Sequence, residues 1–282
     1  MTCALSVREV AKPWGRKALP PPFDKECPEN IGELSFVPPA ILNQLMVKYI
    51  FTSETLSIQV HPSDEQTLVA GLGRRGKDEC WLVIDAEPGA SLGIGFCEAI
   101  DAETLRAAAL DGSIEQRLAW HPVSRGDYFY IPANTVHAIG AGVSLIEVQQ
   151  NSDITYRLFD YGRPRELHLD QGMAVAQRLP YNLNYHQRTV GKGRVRFIDG
   201  PFFRLDRIDD ASSEDLVEAY SDGPLLVLPL TAEVLIAGEP IAPGGCAVSL
   251  SLSDVSIAPN GLALIVQPKH ASPKSKAEST YR

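Results

Sequence analysis

Two imidazoles, one carboxylate and one amide stand in this chain where they could share a cation. Gln59 and His61 alternate with Ile58 and Val60 in Leu56-Ser57-Ile58-Gln59-Val60-His61-Pro62. In an extended strand a period of two sends Leu56, Ile58 and Val60 to one face and Ser57, Gln59 and His61 to the other. The apolar set feeds a core. The polar set must find partners if buried, and a metal ion satisfies an amide oxygen and an imidazole together. Glu79 opens the apolar run 79–85, and His137 lies in Ile131-Pro132-Ala133-Asn134-Thr135-Val136-His137-Ala138. Such a donor set suits a borderline divalent cation such as zinc and leaves coordination positions open for a substrate. Taken singly, each residue has an ordinary reading as a hydrogen-bonded strand residue.

Two lysines stand close to these candidates. Lys77 precedes Glu79 by two residues and shares its strand face. Lys48 interrupts the apolar run 45–51, where an exposed edge lysine is the plainer reading and a lysine aimed into a site the sharper one.

The elements that must position these side chains are mostly strands. Runs at 45–51, 79–85, 128–131, 136–139, 143–150 and 154–159 are separated by Pro, Gly, Asn and Asp turns, a spacing that suits a double-sheet jelly roll with few unpaired edges. Residues 98–118 differ: Asp101 can cap a helix over 102–110, and Ser113 can start a second short helix through Leu118, so a helical insertion is expected. Residues 1–40, with Lys12-Pro13-Trp14-Gly15, Pro20-Pro21-Pro22 and Ile31-Gly32-Glu33-Leu34-Ser35, read as an irregular arm with short extended pieces, wrapped around the strands that come after it. The loop-like stretch 179–195 marks a boundary. A catalytic domain over 1–178 is expected before it, a smaller β-domain without a metal site over 195–268 after it, and a flexible polar tail over 269–282.

Bulk properties narrow the function classes. A chain of 282 residues with 44% hydrophobic content can build a full core, and 21 prolines with 22 glycines favour a turn-rich β architecture. A net charge of −9 opposes nucleic-acid binding, which needs a basic footprint. No run approaches a membrane span and no secretory signal opens the sequence, so a cytoplasmic, non-membrane protein is expected. Five scattered cysteines, Cys3, Cys27, Cys80, Cys97 and Cys246, form neither a Cys-x-x-Cys pair nor a disulfide framework. Nothing in the pattern specifies an oligomeric state.

Several ordered motifs carry a resemblance. Leu56 to Pro62, Gly76-Lys77-Asp78-Glu79-Cys80-Trp81, Gly126-Asp127-Tyr128-Phe129-Tyr130-Ile131-Pro132 with His137-Ala138-Ile139, and Gln149-Gln150-Asn151-Ser152-Asp153-Ile154-Thr155-Tyr156-Arg157 resemble the successive motifs of the type I mannose-6-phosphate isomerases in their short bacterial form. Lys12-Pro13-Trp14-Gly15 and Ile31-Gly32-Glu33 are similar to that family's amino-terminal markers, although Ser35 stands where an aromatic residue is usual.

The resemblance implies an all-β cupin jelly-roll domain with a short helical insertion, followed by a smaller, degenerate cupin-like β-domain. It implies one Zn2+ per chain held by Gln59, His61, Glu79 and His137, catalytic Arg157 and Glu147, and substrate-binding Lys48 and Lys77. The implied reaction is the reversible isomerisation of mannose 6-phosphate, a small sugar phosphate, to fructose 6-phosphate, with Glu147 moving the proton if burial lifts its pKa toward neutrality. Two rival readings share the pocket. Two histidines and a carboxylate also describe the facial triad of iron oxygenases, against which Gln59 and the wide gap from His61 to Glu79 argue; a non-catalytic phosphosugar-binding cupin is the other.

Overall fold

Short β-prone runs broken by proline and glycine pair here into antiparallel sheets. The computed structural model describes residues 4–189, 191–210 and 213–269. The chain forms two compact units, Ala4–Gly191 and the chain from Lys192 onward. In chain order the first unit carries β1 (Val7–Leu19), β2 (Lys25–Phe36), β3 (Leu45–Phe51), β4 (Ile58–Val60), α1 (Asp64–Val69), β5 (Glu79–Ala86) and β6 (Ser91–Phe96). Next come α2 (Ala102–Asp111), α3 (Ile114–Arg117), β7 (Leu118–Pro122), β8 (Asp127–Ile131), β9 (His137–Ile139), β10 (Val143–Gln150), β11 (Tyr156–Phe159), α4 (Leu169–Val175) and β12 (His186–Arg188).

Two sheets result, one in the order β1-β2-β3-β10-β5-β8-β12 and one in the order β11-β4-β9-β6-β7. The fold is mostly β and cupin-like. Its two sheets remain separate in hydrogen bonding and do not close into a barrel, so strand edges survive that a closed jelly roll would remove.

Alternation sorts the side chains into two cores. Trp81, Val83, Phe129, Ile131 and Leu145 pack with Leu92, Ile94 and Ile139 as one cluster drawn from both sheets. Ile58, Val60, Phe96 and Ala138 of the smaller sheet pack instead with Leu105, Ala108, Ala109 and Ile114 of the helices. The apolar face of β4 is therefore covered by the helical insertion. Leu56, expected on that same face, joins the other cluster because it lies before β4 begins. Burial of a residue such as Leu105, fully inaccessible here, contributes about 1.5–3 kcal/mol. Asp101 Oδ1 accepts the Thr104 amide at 2.7 Å and starts α2, while Gly112 in the left-handed region (φ 84°) ends it. The Ser113 side chain, expected to cap α3, makes no capping bond; its amide donates to Asp111 Oδ1.

The amino-terminal segment departs from the irregular arm expected of it. β1 and β2 are long strands that extend the larger sheet, and the register shift between Ala11 and Arg16 accommodates Pro13 in an edge strand. Gly32 makes the overlay possible: a Cβ there would lie 2.5 Å from Lys12 Cγ and 2.7 Å from Trp14 Cζ3.

The second unit contains β13 (Val195–Asp199), β14 (Phe203–Ile208), α5 (Glu214–Ala219), β15 (Leu225–Pro229), β16 (Val234–Ile236), β17 (Glu239–Ile241), β18 (Ala247–Ser249), β19 (Val255–Ile257) and β20 (Ala263–Pro268). They form sheets ordered β13-β14-β20-β15-β18 and β17-β16-β19 around a core that includes Leu216, Val227, Ile236 and Ile265. The tail expected over 269–282 falls outside the described residues except for Lys269, as does Cys3. Among the described residues no helix is long and apolar enough to cross a membrane.

Candidate active site

The site is built from three rows of side chains, one on the smaller sheet and two on the larger. On the smaller sheet Gln59 pairs with His137 on one side and Arg157 on the other, which sets His137, Gln59 and Arg157 side by side. One row of the larger sheet runs Lys48, Glu147, Trp81; the next, two residues along each strand, runs Gln149, Glu79, Ile131. Lys48 is thus no edge lysine. It sits in an interior strand between β2 and β10.

His61, Glu79 and His137 converge at the buried end, each at most 1% exposed, and form a group able to hold a metal ion. His137 Nε2 lies 3.3 Å from Glu79 Oε1, and His61 Nε2 lies 3.6 Å from Glu79 Oε2. The far nitrogens are engaged: His61 Nδ1 meets the Ile154 carbonyl and His137 Nδ1 the Thr135 carbonyl, both at 2.9 Å. A carbonyl only accepts, so each Nδ1 carries the proton and each Nε2 turns a lone pair toward the carboxylate. Burial reinforces this by holding both rings neutral, His61 well below the usual imidazole value and His137 down at about 4.

Three acceptors facing one another call for a positive charge. Glu79 Oε1 has no hydrogen-bond partner. The two imidazole nitrogens face the two oxygens of one carboxylate, and all the ligand atoms lie within 4.8 Å of one another. The donor set therefore fits a divalent metal ion. Gln59 stands beside it: its amide Nε2 lies 3.3 Å from His137 Nε2, with Oε1 accepting from Ser57 Oγ at 3.2 Å. A half-turn of the amide exchanges oxygen and nitrogen, offering Oε1 to a cation while Nε2 donates to Ser57.

Around this centre the charges are paired. Lys77 Nζ donates to Glu79 Oε2 at 2.6 Å and lies 3.2 Å from His61 Nε2. Lys48 Nζ donates to Gln149 Oε1 at 2.9 Å and stands 3.3 Å from Glu147 Oε1. Trp81 Nε1 donates to Glu147 Oε2 at 3.2 Å. Burial alone would raise the Glu147 carboxyl, yet the charges of Lys77 and Lys48 with the Lys48 and Trp81 hydrogen bonds pull it below the usual carboxylate value. The expected lift of Glu147 toward neutrality is therefore not what the surroundings produce. Burial pushes the Glu79 carboxyl up instead, with Lys77 and Lys48 opposing and Glu147 adding to the rise. Burial also works against the Lys48 ammonium, but Glu147, Glu33 and Glu79 together raise its pKa.

A cavity of about 220 Å³ opens over the centre, and Gln59, Lys48, Lys77, Glu147 and Arg157 all line it. Five of the eight residues singled out from the sequence thus line one space, and His61, Glu79 and His137 lie against two of them, Lys77 and Gln59. Ser57, also in the lining, and Trp81 and Gln149, which hydrogen-bond Glu147 and Lys48, were not singled out, although each follows from the period of two that flanks Gln59, Glu79 and Glu147. Gly76 lets Lys77 reach His61, since a Cβ there would lie 2.4 Å from Pro62 O.

Fold and site together define a cupin-like protein with a buried His–Glu–His group between two sheets. No protein-family model matches the chain. The fold is that of the phosphomannose isomerases, and part of the sequence is similar to proteins named mannose-6-phosphate isomerase. Mannose-6-phosphate isomerase ManA of Bacillus subtilis is 41% identical over 139 residues, 47% of this chain and 44% of that protein. The mannose-6-phosphate isomerase of Streptococcus mutans is 42% identical over 137 residues, 46% and 43% of the two chains. The matched stretch thus spans a little under half the length of these relatives. Among solved structures, the mannose 6-phosphate isomerase from Bacillus subtilis superposes with a TM-score of 0.76 at 22% identity, covering 94% of this chain and 98% of that one. A phosphomannose isomerase from Salmonella typhimurium gives 0.67 at 14% identity, covering 96% and 100%. At these identities the structural likeness concerns the fold.

Proposed function

We propose that the chain is a zinc-dependent mannose-6-phosphate isomerase that interconverts mannose 6-phosphate and fructose 6-phosphate. The observation that carries the proposal is the convergence of buried acceptor atoms from His61, Glu79 and His137, with Gln59 alongside, beside a cavity that is lined by Gln59, Glu147, Lys48, Lys77 and Arg157. The names of the homologues support the substrate.

Aldose–ketose exchange removes a proton from C2 next to the carbonyl and returns it at C1, through an enediolate whose negative charge must be offset. A zinc ion held by the four residues would supply Lewis-acid stabilisation at the sugar oxygens. Glu147, ionised beside Lys48, accepts the C2 proton and delivers it to C1, while the O2 hydroxyl proton passes to O1. Its basicity is low while Lys48 faces it, and a substrate oxygen that draws the Lys48 ammonium away restores it. Arg157, next to Gln59 in the ladder, faces the developing charge, and Lys77 adds a second cation on the opposite sheet.

The test is turnover of purified protein with mannose 6-phosphate, fructose 6-phosphate being read directly, repeated after chelation and zinc add-back. Activity lost on chelation and restored by zinc supports the proposal. Absence of turnover with every divalent metal sinks it, and oxygen consumption with bound iron would replace it with an oxygenase.

A further inference from the structure

Lys77 and Lys48 are held at the cavity by side-chain partners, Glu79 and Gln149. Arg157 is not. Its guanidinium makes no hydrogen bond or ion pair among the described residues, and its Nε is buried without a partner. The placement of that guanidinium is therefore decided by the main chain that carries it.

β11 is the end strand of the smaller sheet, with β4 on one side and no strand on the other. An end strand leaves alternate pairs of backbone groups pointing outward without a ladder partner. At Arg157 one residue takes both. The Arg157 carbonyl accepts the His168 amide at 2.8 Å, and the Arg157 amide donates to His168 Nδ1 at 3.3 Å. A backbone N–H only donates, so Nδ1 carries the lone pair and the ring proton sits on Nε2, which lies 3.9 Å from Glu166 Oε2. The ladder to β4 shifts register between Arg157 and Phe159, so His168 supplies a restraint that β4 does not. His168 is itself anchored. It stands directly before α4 and accepts the Gly172 amide at 2.8 Å. Leu169 and Met173 of α4 pack on the core that holds Tyr156 and Leu158, the two neighbours of Arg157. Gly172 permits this approach, since a Cβ there would lie 2.5 Å from Leu158 Cδ2.

We propose that His168 is a positioning residue for Arg157: its imidazole closes the free edge of β11 and fixes the main chain from which the guanidinium enters the cavity. The assignment rests on the role given to Arg157 above.

The experiment compares His168→Phe, which keeps a ring but no acceptor, with His168→Asn, whose Oδ1 falls near the place of Nδ1, in the wild-type and Arg157→Ala backgrounds of the full chain. With mannose 6-phosphate, His168→Phe should lower kcat roughly tenfold to hundredfold, as misplacing a catalytic group does. Zinc content should stay unchanged, and His168→Asn should recover most of the loss. In the Arg157→Ala background the same change should alter kcat by no more than about twofold, because no guanidinium is left to misplace. A merely structural histidine would cost the same factor in both backgrounds, and that result would overturn the assignment. So would a His168→Asn variant as impaired as His168→Phe. Nitrogen-15 NMR of the zinc-loaded protein reads the same arrangement without turnover. The neutral His168 ring should carry its proton on Nε2, and the Arg157 Nε–H order parameter should be high in wild type and His168→Asn and fall in His168→Phe. A proton on Nδ1 of the neutral ring in wild type overturns the proposal even if no variant folds. A wild type that never isomerises the sugar, with Arg157 losing order in His168→Phe, would sustain the positioning role and discard the isomerase reading.

Discussion

Replacing Lys77 by Met should tighten zinc binding while abolishing turnover, a combination that a purely supportive lysine would not produce. The ammonium lies 2.6 Å from Glu79 Oε2 and 3.2 Å from His61 Nε2, two of the candidate ligand atoms. A divalent ion held by those atoms would feel its charge at roughly 4 Å, where a double and a single charge repel by about 8 kcal/mol at an effective dielectric of 20. If only about an eighth of that survives relaxation, about 1 kcal/mol, the zinc dissociation constant of Lys77→Met falls roughly fivefold. The metal-free protein should respond in the opposite direction. The Lys77 contact is the one hydrogen bond to the Glu79 side chain among the described residues, and losing a charged partner from a buried carboxylate costs about 1–3 kcal/mol. Competition with a chromophoric chelator measures the first effect, and thermal denaturation of the stripped protein the second. Zinc held equally or more weakly by Lys77→Met would refute the electrostatic reasoning.

Other positions give further expected outcomes. Glu147→Gln should lower kcat by roughly 10²–10⁴-fold with zinc content unchanged by metal analysis, since the amide keeps the shape but accepts no proton. Gly76→Ala brings a Cβ to 2.4 Å from both Pro62 O and Ser63 C, backbone atoms that cannot rotate aside; a loss of about 1–3 kcal/mol in urea unfolding is expected, with reduced zinc retention as Lys77 and His61 part. Burial raises the Asp78 carboxyl from 3.8 to about 6 against the Tyr130 hydrogen bond. The folded state therefore holds this proton more tightly than the unfolded chain, and its cost to stability grows as pH rises from 3.8 to about 6. Asp78→Asn removes that cost, so it should stabilise by about 1–3 kcal/mol at pH ~8 and by little at pH ~4; an equal effect at both, measured by urea unfolding, would contradict it.

The candidate site was legible because strand chemistry repeats every second residue. Ser57-x-Gln59-x-His61, Lys77-x-Glu79-x-Trp81 and Glu147-x-Gln149 each place their polar members on one face, and such a face has to be turned somewhere useful. What the pattern does not carry is the identity of the neighbour. Lys48 reads as an edge residue because a single run cannot show that β2 will add outside it. β2 itself is hidden by Pro28 and by the weak alternation of residues 25–36, and β1 by Pro13, tolerable only at an edge with a register shift. Helix α1 escapes a reading by apolar periodicity, although Ser63 and Gln66 form its capping box in the sequence. The apolar face of β4 meets helices because the insertion folds over it, a long-range choice invisible in seven residues. Burial alone predicts a partly neutral Glu147, but two lysines distant in sequence set its charge. Lys48 and Lys77 lie 99 and 70 positions before it, and only the sheet brings them to its side.

The four candidate ligands hang from both sheets, Gln59, His61 and His137 from the smaller and Glu79 from the larger. One ion would therefore act as a cross-link between layers that share no ladder hydrogen bonds. Its binding free energy becomes stability of the interlayer junction, growing with free metal as RT ln(1 + [M]/Kd). Stripping the ion should then raise amide exchange first where the layers meet, at β4, β9 and the start of β5, before the outer strands respond. The ion that equips the cavity for chemistry would also keep the two layers in register.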